Sequence, residues 1–284
     1  MNKIFCGTIT SLLAFLLSAP TAWASDPRLN HRAQAAIAAN PQGRVKLILT
    51  YQQPPGLSDE NKITSNSGVI NRKYLYSIRG HAIEIPAQAA EALLASNPNI
   101  ARASLDEPVA GDLSYPTADG QFALTAASYP TPTSLPSSVR AGQPELASVS
   151  YTGANVKVAV LDSGFKNHGD VTPIGTYSII SSKADDTYGH GNHVIGIVGG
   201  SGGKSGGLYA GVAPGAKLYA VRVLDQAGQG LTSDVIAGLD RVLALNQSSW
   251  NIRVVNMYLG HPVVDAAAND PLVQAVEAIW DSGV

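Results

Sequence analysis

The chain has 284 residues and a formal net charge of −2, with 45% hydrophobic and 14% charged residues. This composition excludes a strongly basic or disordered protein, so we expect neither nucleic acid nor an anionic membrane surface as a partner. The length is sufficient for one large α/β domain and a smaller one.

The N-terminal segment, residues 1–24, has the pattern of a secretory signal peptide. Met1–Lys3 is a short cationic start, Ile9–Leu17 is an apolar core too short to span a bilayer, and Ala22-Trp23-Ala24 resembles a cleavage site. We expect cleavage after Ala24 and a secreted or periplasmic chain with no membrane association afterwards. The alternative is a buried hydrophobic helix. The only cysteine, Cys6, lies in this segment, so the mature chain would have no disulfide.

The next zone, residues 25–112, predicts a small α+β domain. A helix is predicted at Pro86–Ser96, because proline suits the first turn of a helix and Asn97-Pro98 would end it. With a further helix between the first two strands, the predicted order is strand, helix, strand, strand, helix, strand. The predicted strands are rich in β-branched or aromatic residues, or alternate in polarity: Val45–Tyr51, Arg72–Ile78, Gly80–Ile85 and Ile100–Leu105.

A linker is predicted at residues 113–150. Its centre reads SYPTPTSLPSS, and the zone is rich in Pro, Ser, Thr and Ala. It lacks the sustained hydrophobic periodicity of a helix or strand. Such a composition is typical of an extended connection between two folded units.

The last zone, residues 151–284, alternates strands with helices and therefore predicts a doubly wound parallel sheet. The first strand is almost continuously apolar, which is typical of a strand buried on both faces. The chain stops at Gly283-Val284, where a further strand is due, so we expect the sheet to be incomplete there. The predicted strands are Val156–Leu161, Lys217–Leu224 and Val254–Leu259, and the predicted helices are His190–Val198, Thr232–Gln247 (capped by Thr232) and Asp270–Trp280.

Asp162 and His190 are the candidate acid and base. Asp162 directly follows the first strand of the sheet, and ligands of open parallel sheets bind beyond the carboxyl ends of strands. His190 begins a predicted helix, whose positive dipole end disfavours an imidazolium and so favours a neutral base. The alternatives are an aspartate that caps a turn and a histidine that caps the helix.

Three other patterns are weaker candidates. His190 and His193 have the spacing of a metal-binding pair, although two histidines alone are a weak metal signal. Gly203-Lys204-Ser205 resembles the end of a phosphate-binding loop, but no strand precedes it and the leading glycine position is Val198. Gly199–Gly203 matches the G-x-S-x-G pattern of a nucleophile elbow, yet Ser201 follows a helix rather than a strand.

Several motifs in register resemble the subtilisin-like serine proteases, the subtilases. In this chain, VKVAVLDSG resembles the family's aspartate motif and GHGNHVIGI resembles its histidine motif. The stretch AGVAPGAKLYAVRVLDQAGQG resembles the family's segment after the histidine helix, and VVNMYLG resembles the strand beside the substrate cleft. The resemblance covers Tyr151 to Val284. The segment GHAIEIPAQAAEALLASNPNIARASLDEPV is similar to the inhibitory propeptide that precedes many subtilases.

The resemblance implies a role for each matching residue. Asp162 would orient His190 and stabilise its imidazolium, while His190 would take a proton from a serine and deliver it to the leaving amine. Leu259 and Gly260 would offer backbone groups to an extended polypeptide substrate, and Gly228 and Gly230 would line the opposite edge of the cleft. The propeptide would act as an intramolecular inhibitor. Calcium is common in the family, but no convincing ligand loop is seen, so no cofactor or metal site is assigned.

The chain departs from the family pattern in three places. It ends before the oxyanion-hole asparagine and the Gly-Thr-Ser motif of the nucleophile, so we expect a truncated precursor that is inactive and poorly folded alone. Tyr258 stands where the family usually has serine, and Asn192 where it usually has threonine. Two other functions stay open: a non-catalytic inhibitor acting through the propeptide-like domain, and a nucleotide-binding protein based on Gly203-Lys204-Ser205.

Overall fold

The computed structural model describes residues 26–111, 152–207, 209–263 and 265–284. The predicted signal peptide with Cys6, the predicted linker, and the boundary residues Asp112 and Tyr151 lie outside these residues and stay predictions. Within the described residues, the longest and most apolar helices fall short of what a membrane span requires.

Residues 26–111 form a four-stranded antiparallel sheet in the order β2-β3-β1-β4, with helices packed against it. Alternate side chains of the strands and the apolar faces of the helices enclose a core of its own, which includes Leu47, Ile83 and Leu93. The strands are β1 Arg44–Tyr51, β2 Val69–Leu75, β3 Gly80–Pro86, β4 Ile100–Leu105 and the short β5 Pro108–Ala110, and the helices are α1 His31–Ala39, α2 Leu57–Ser65 and α3 Ala90–Ser96. The predicted α+β architecture is therefore observed in this part of the chain.

Three details of this part differ from the sequence prediction. The strand predicted to reach Ile78 ends at Leu75, because Tyr76–Ile78 turns as a 3-10 helix closed by the left-handed Arg79. The helix predicted from Pro86 is preceded by a 3-10 turn and begins at Ala90, since Pro86 still belongs to β3. Helix α1 was not predicted; its short, alanine-rich sequence carries little hydrophobic periodicity, and the Asn30 side chain caps its N-terminus.

Residues 152–284 form a parallel sheet in the order β10-β6-β8-β7, covered on both faces. Successive residues of β6 point to opposite faces, with Val160 in the core beneath α4 and Leu161 in the core beneath α5 and α6. This confirms the predicted doubly wound class. The strands are β6 Lys157–Asp162, β7 Gly175–Ser178, β8 Lys217–Arg222, β9 Gln229–Leu231 and β10 Ile252–Asn256, and the helices are α4 His190–Gly199, α5 Thr232–Gln247 and α6 Pro271–Asp281.

The element boundaries in the second part correct the prediction at three places. The third predicted strand, Val254–Leu259, instead spans Ile252–Asn256, which leaves Leu259 in an extended segment beyond the sheet. The strand β8 ends at Arg222 rather than Leu224, because the next two backbone N–H groups both donate to the carbonyl of Asp162. Thr232 is the first residue of α5, and Leu231 is its N-cap.

The two parts share a continuous hydrophobic core. Ile48, Leu75 and Ile78 of the first part pack with the buried faces of α5 and α6. The Asp240 carboxylate accepts hydrogen bonds from the backbone N–H groups of the 3-10 turn that follows β2, at 2.8 and 2.9 Å. Arg72 forms an ion pair with Asp234 at the start of α5. These contacts hold the middle of the first part against helices α5 and α6.

Candidate active site

Asp162 lies at the carboxyl end of β6, where its side chain is 1% exposed. Its Oδ1 and Oδ2 lie 2.8 and 3.0 Å from Nδ1 of His190. Burial raises the pKa of this carboxyl, while the hydrogen bonds from His190 and from the Ser163 backbone oppose that rise. The pair predicted from sequence is thus brought together with the carboxylate on Nδ1, which leaves Nε2 for a reacting group.

His190 begins helix α4, and its side chain keeps 17% exposure. Two glycines permit this position. Gly189 adopts a left-handed backbone with φ of 101° as the N-cap, and Gly191 packs so closely that an added Cβ would lie 2.3 Å from the Gly164 carbonyl oxygen. The flanking glycines therefore let the helix start directly against the turn that follows Asp162.

Asp186 organises the loop that precedes His190, and sequence reasoning missed it. Its buried carboxylate accepts hydrogen bonds from the backbone N–H groups of Tyr188, Gly189 and Asn192 at 2.7 to 3.0 Å. It also accepts a 2.9 Å bond from the Ser163 hydroxyl, which in turn accepts one from the backbone of Gly191. Four residues before a histidine at a helix start, an acidic residue is the signal that could have indicated this role.

A strand from the first part of the chain lies beside this pair. Residues 108–110 pair antiparallel with β9, so that Val109 faces Gly230. On the other side, Ala110 exchanges two backbone hydrogen bonds of 3.1 Å with Gly260. The Gly111 N–H donates to the Gly228 carbonyl at 3.0 Å. Residues 108–111, hereafter the tail, therefore form the middle strand between two segments of the second part.

The predicted substrate-binding residues fall into two groups. Gly228, Gly230 and Gly260 line the tail and pair with it through backbone groups. Leu259 is half-buried against the shared core, and no hydrogen bond between its backbone and the tail is recorded among the described residues. The glycine residues were expected from the family resemblance, and the propeptide-like segment was expected to inhibit the enzyme, but the pairing of the tail with these glycines was not predicted residue by residue.

The end of the tail lies against His190. A Cβ added to Gly111 would lie 3.3 Å from His190 Nδ1 and 2.5 Å from Leu224 Cδ1. Such contacts leave no space for a side chain at this position unless the neighbours move. The Val109 side chain is 1% exposed within the shared core. The strand therefore approaches the base with a buried valine followed, two residues later, by a glycine.

Two tyrosine rings flank the imidazole. The Tyr258 ring is stacked on that of His190, with centroids 5.4 Å apart and an interplanar angle of 13°. The Tyr188 ring is tilted by 40° at 6.3 Å, and it also packs against Gly228. Asn192, the other departure from the family pattern, exchanges two hydrogen bonds with the backbone of Lys166. Tyr258 therefore contacts the base directly, while Asn192 holds a neighbouring loop.

The weaker sequence candidates lie elsewhere. Ser201 donates to the Asp170 carboxylate, and the backbone N–H of Lys204 donates to the same oxygen. Both patterns thus belong to a surface loop anchored on Asp170. His193 is exposed on α4, and within residues 26–111, 152–207, 209–263 and 265–284 no three His, Cys, Asp or Glu side chains cluster closely enough to hold a metal. The described residues therefore offer no side-chain ligand set that fits calcium.

Taken as chemistry, the arrangement provides a base and the group that orients it. The carboxylate on Nδ1 fixes the tautomer in which Nε2 accepts a proton. In the part of the chain that the structure describes, no serine hydroxyl is hydrogen-bonded to His190. The geometry can therefore accept, hold and return a proton next to an extended polypeptide.

Known proteins resemble the second part of the chain. Residues 153–282 match the model of the subtilase family. Serine protease AprX of Bacillus subtilis strain 168 is 38% identical over 141 residues, covering 47% of this chain and 32% of that protein. Subtilisin E of the same strain is 41% identical over 147 residues, covering 48% and 37% respectively. This chain thus spans about a third of the length of these curated relatives.

A solved structure resembles most of the described fold. Fervidolysin from Fervidobacterium pennivorans, a keratinolytic enzyme related to subtilisin, matches with a TM-score of 0.57 and 18% sequence identity. The match covers 86% of this chain and 39% of fervidolysin. At this identity the likeness concerns the fold, which agrees with the doubly wound sheet described above.

Proposed function

Because residues 153–282 match the subtilase family model, we propose that this chain supplies the aspartate and histidine of a secreted serine endopeptidase. The single observation that carries the proposal is the buried Asp162 carboxylate bound to Nδ1 of His190 at 2.8 Å, beside an extended polypeptide strand. Secretion is part of the proposal and is supported by the predicted signal peptide. A relative from Bacillus subtilis is named minor extracellular protease Epr.

In the proposed reaction, His190 acts as general base and then as general acid. Nε2 would remove the proton of a serine hydroxyl as that oxygen attacks the peptide carbonyl, and would later deliver the proton to the leaving amine. Asp162 would remain ionised and stabilise the imidazolium between these steps. Burial strengthens its interaction with the imidazolium, and the hydrogen bonds from His190 and the Ser163 backbone partly offset the pKa rise that burial causes.

We further propose that residues 25–112 are an intramolecular inhibitor of the same cleft. The support is that the tail is bonded through its backbone to Gly228 and Gly260, the groups expected to bind a substrate strand. Polypeptide substrates would enter as an added strand in the same way. Removal of the inhibitor would require cleavage of the chain between Val109 and Ser150.

The nucleophile is a separate element of the proposal. No serine of the 284 residues corresponds to the family's nucleophile, so we propose that this polypeptide alone does not hydrolyse peptides. A purified sample of the 284 residues should show no peptidase turnover above background. Turnover that a serine-protease inhibitor blocks would overturn this part of the proposal.

The endopeptidase proposal is tested on a different sample, the protein that is secreted from the native gene, and not on the purified 284 residues. The His190→Ala substitution should lower casein hydrolysis at least about a thousandfold, because catalysis loses its base. The matched control is His193→Ala on the same helix, whose side chain is exposed and should be dispensable. Absence of casein hydrolysis in the unsubstituted secreted protein, or equal activity in His190→Ala, would contradict the proposal.

Maturation provides a second measurement on the same samples. Mass spectrometry of the secreted protein should find an N-terminus between Val109 and Ser150, and His190→Ala should abolish this processing. A secreted protein that begins at Ser25 would contradict the proposed self-removal of the inhibitor.

The second candidate function is a non-catalytic inhibitor of another subtilase. It is favoured by one observation: residues 26–111 enclose their own hydrophobic core and end in the cleft-bound tail. Residues 25–112, added to Subtilisin E, should then inhibit it at micromolar concentration, whereas residues 25–107 without the tail should not. No inhibition by the longer form would exclude this candidate.

A further inference from the structure

Tyr258 contacts the proposed base by a geometry that the function above does not use. The residue follows β10 by two positions, and its ring lies nearly parallel to the His190 imidazole. It is 40% exposed, so the stack is its main contact with the site rather than a consequence of deep burial. No hydrogen bond of the Tyr258 hydroxyl is recorded among the described residues. The aromatic face is therefore the part of this side chain that acts.

The hydrogen bonds of His190 leave its imidazole ring free to rock, and Tyr258 can prevent that motion. Both carboxylate oxygens of Asp162 bind Nδ1, which fixes the tautomer but permits the ring to rock about that bonded edge. The Tyr188 ring, tilted by 40°, lies obliquely to the imidazole and does not define its plane. The Tyr258 ring does define the plane, because it lies within 13° of parallel to the imidazole, and stacked aromatic pairs are mutually attractive.

We infer that Tyr258 is a positioning residue for His190, which fixes the plane of the imidazole by stacking on the ring. The role rests on the proposed function only in that a fixed base matters for proton transfer, since a base must be held within hydrogen-bond reach of its proton. Because Tyr258 replaces the serine usual in the family, the contact is a property of this chain.

The rate at which diethyl pyrocarbonate modifies His190 in the full chain measures how firmly the imidazole ring is held in this position. Modification of Nε2 is quantified by mass spectrometry relative to His193, an exposed histidine on the same helix. In Tyr258→Ser, His190 should react roughly two- to tenfold faster, the range set by the strength of an aromatic pair. Tyr258→Phe should retain the original rate, because the hydroxyl is not used.

A leucine variant distinguishes aromatic stacking on His190 from steric shielding of its ring. Tyr258→Leu fills similar space without a π-system, and should allow modification nearly as fast as Tyr258→Ser. Tyr209→Ser removes a tyrosine that is 67% exposed in the Asp170 loop and should change nothing. Protection by leucine equal to that by phenylalanine, or an unchanged rate in Tyr258→Ser, would overturn the inference.

Proton NMR of the same variants provides a readout that a merely structural role would not change. The Cε1 proton of His190 should be shifted upfield by the ring current in the original chain and in Tyr258→Phe, and should lose that shift in Tyr258→Leu. A shift that persists in Tyr258→Leu would contradict stacking. Neither readout needs peptide hydrolysis, so failure of this inference is distinguishable from failure of the endopeptidase proposal.

Discussion

His190 and the tail that lies beside it are held in the cleft by different kinds of contact. His190 depends on buried side chains, with the Asp162 carboxylate on its ring and the Asp186 carboxylate on the loop before it. The tail depends on backbone hydrogen bonds to Gly228 and Gly260 and on the space left for its own residues. The base should therefore respond to loss of a charge, and the tail to added volume.

The largest expected effect concerns the side-chain contacts that hold the loop before His190. Asp186→Ala should lower the free energy of unfolding by about 3 kcal/mol, because three backbone N–H groups and a hydroxyl lose their buried acceptor. Chemical denaturation followed by circular dichroism measures the change. The neighbouring Asp185→Ala is the control, since that side chain is exposed and should be replaceable at little cost. Equal stability of the two variants would refute the role of Asp186.

The next largest effect is expected from a substitution at Gly111, which should disturb the backbone pairing of the tail. Gly111→Val should weaken docking of the tail roughly tenfold to a hundredfold, because the added side chain overlaps Leu224 and His190. Hydrogen exchange at the Gly111 and Gly260 amides measures docking, since their bonds join the two parts. The Ala103 amide, bonded to Arg28 within the first part, serves as internal reference and should keep its protection. Gly111→Ala should have a smaller effect, and a rate unchanged by valine would contradict the predicted crowding.

Docking of the first part should also depend on pH, because a buried carboxyl group close to the tail, that of Asp106, titrates. Burial raises the pKa of Asp106 from 3.8 to about 6, against hydrogen bonds from the backbone and hydroxyl of Ser233. A raised carboxyl pKa gives stability that is present below 3.8 and lost as the pH rises through about 6. Docking should therefore weaken roughly tenfold between about pH 5 and about pH 7.

The same amide-exchange measurement, corrected for intrinsic rates, tests this pH effect. Asp106→Asn should remove most of the dependence and leave only the part contributed by Asp240, whose pKa burial also raises. Stronger docking at the higher pH in the original chain would show that the sign is wrong.

The smallest expected effect concerns the ion pair at the edge of the interface. Arg102 donates to both oxygens of Asp265, and both side chains are partly exposed. Arg102→Ala should weaken docking by about two- to fivefold, and added salt should reduce that difference. Arg44→Ala removes a comparable pair with Glu84 inside the first part and should leave docking unchanged. A larger loss from Arg44→Ala than from Arg102→Ala would contradict this ranking.

The sequence predicted the side-chain half of the site far better than the backbone half. Asp162 and His190 were identified because acid and base need particular residue types, and their positions follow from strand and helix ends. The propeptide resemblance implied that the first part of the chain occupies a cleft, but it did not specify which tail residues pair there, because backbone hydrogen bonds are available to almost any sequence. The short strands β5 and β9 are three residues each and carry no usable periodicity. The stacking of Tyr258 was also unpredictable, since it depends on how the segment after β10 leaves the sheet.

The fold class was predictable for a related reason. The buried strand β6 and the amphipathic helix α5 are long and strongly patterned, and both were predicted to within a residue at each end. Strand β10 was shifted by two to three residues, because Met257 and Leu259 are apolar yet pack against the shared core from outside the sheet. An apolar sequence pattern indicates which residues are buried. Because an extended segment beside a sheet can be as buried as a strand within it, the pattern does not distinguish the two.

The hydrophobic core shared by the two parts has a consequence for how the molecule unfolds. Ile48, Leu75, Ile78, Ala82 and Val109 complete a core whose other buried members come from residues 152–284. Separating the parts would expose apolar surface on both sides at once, which costs free energy in proportion to the area. The sheet of residues 152–284 should therefore melt in the same cooperative transition that releases the tail, so that thermal stability and occupancy of the cleft are one linked quantity.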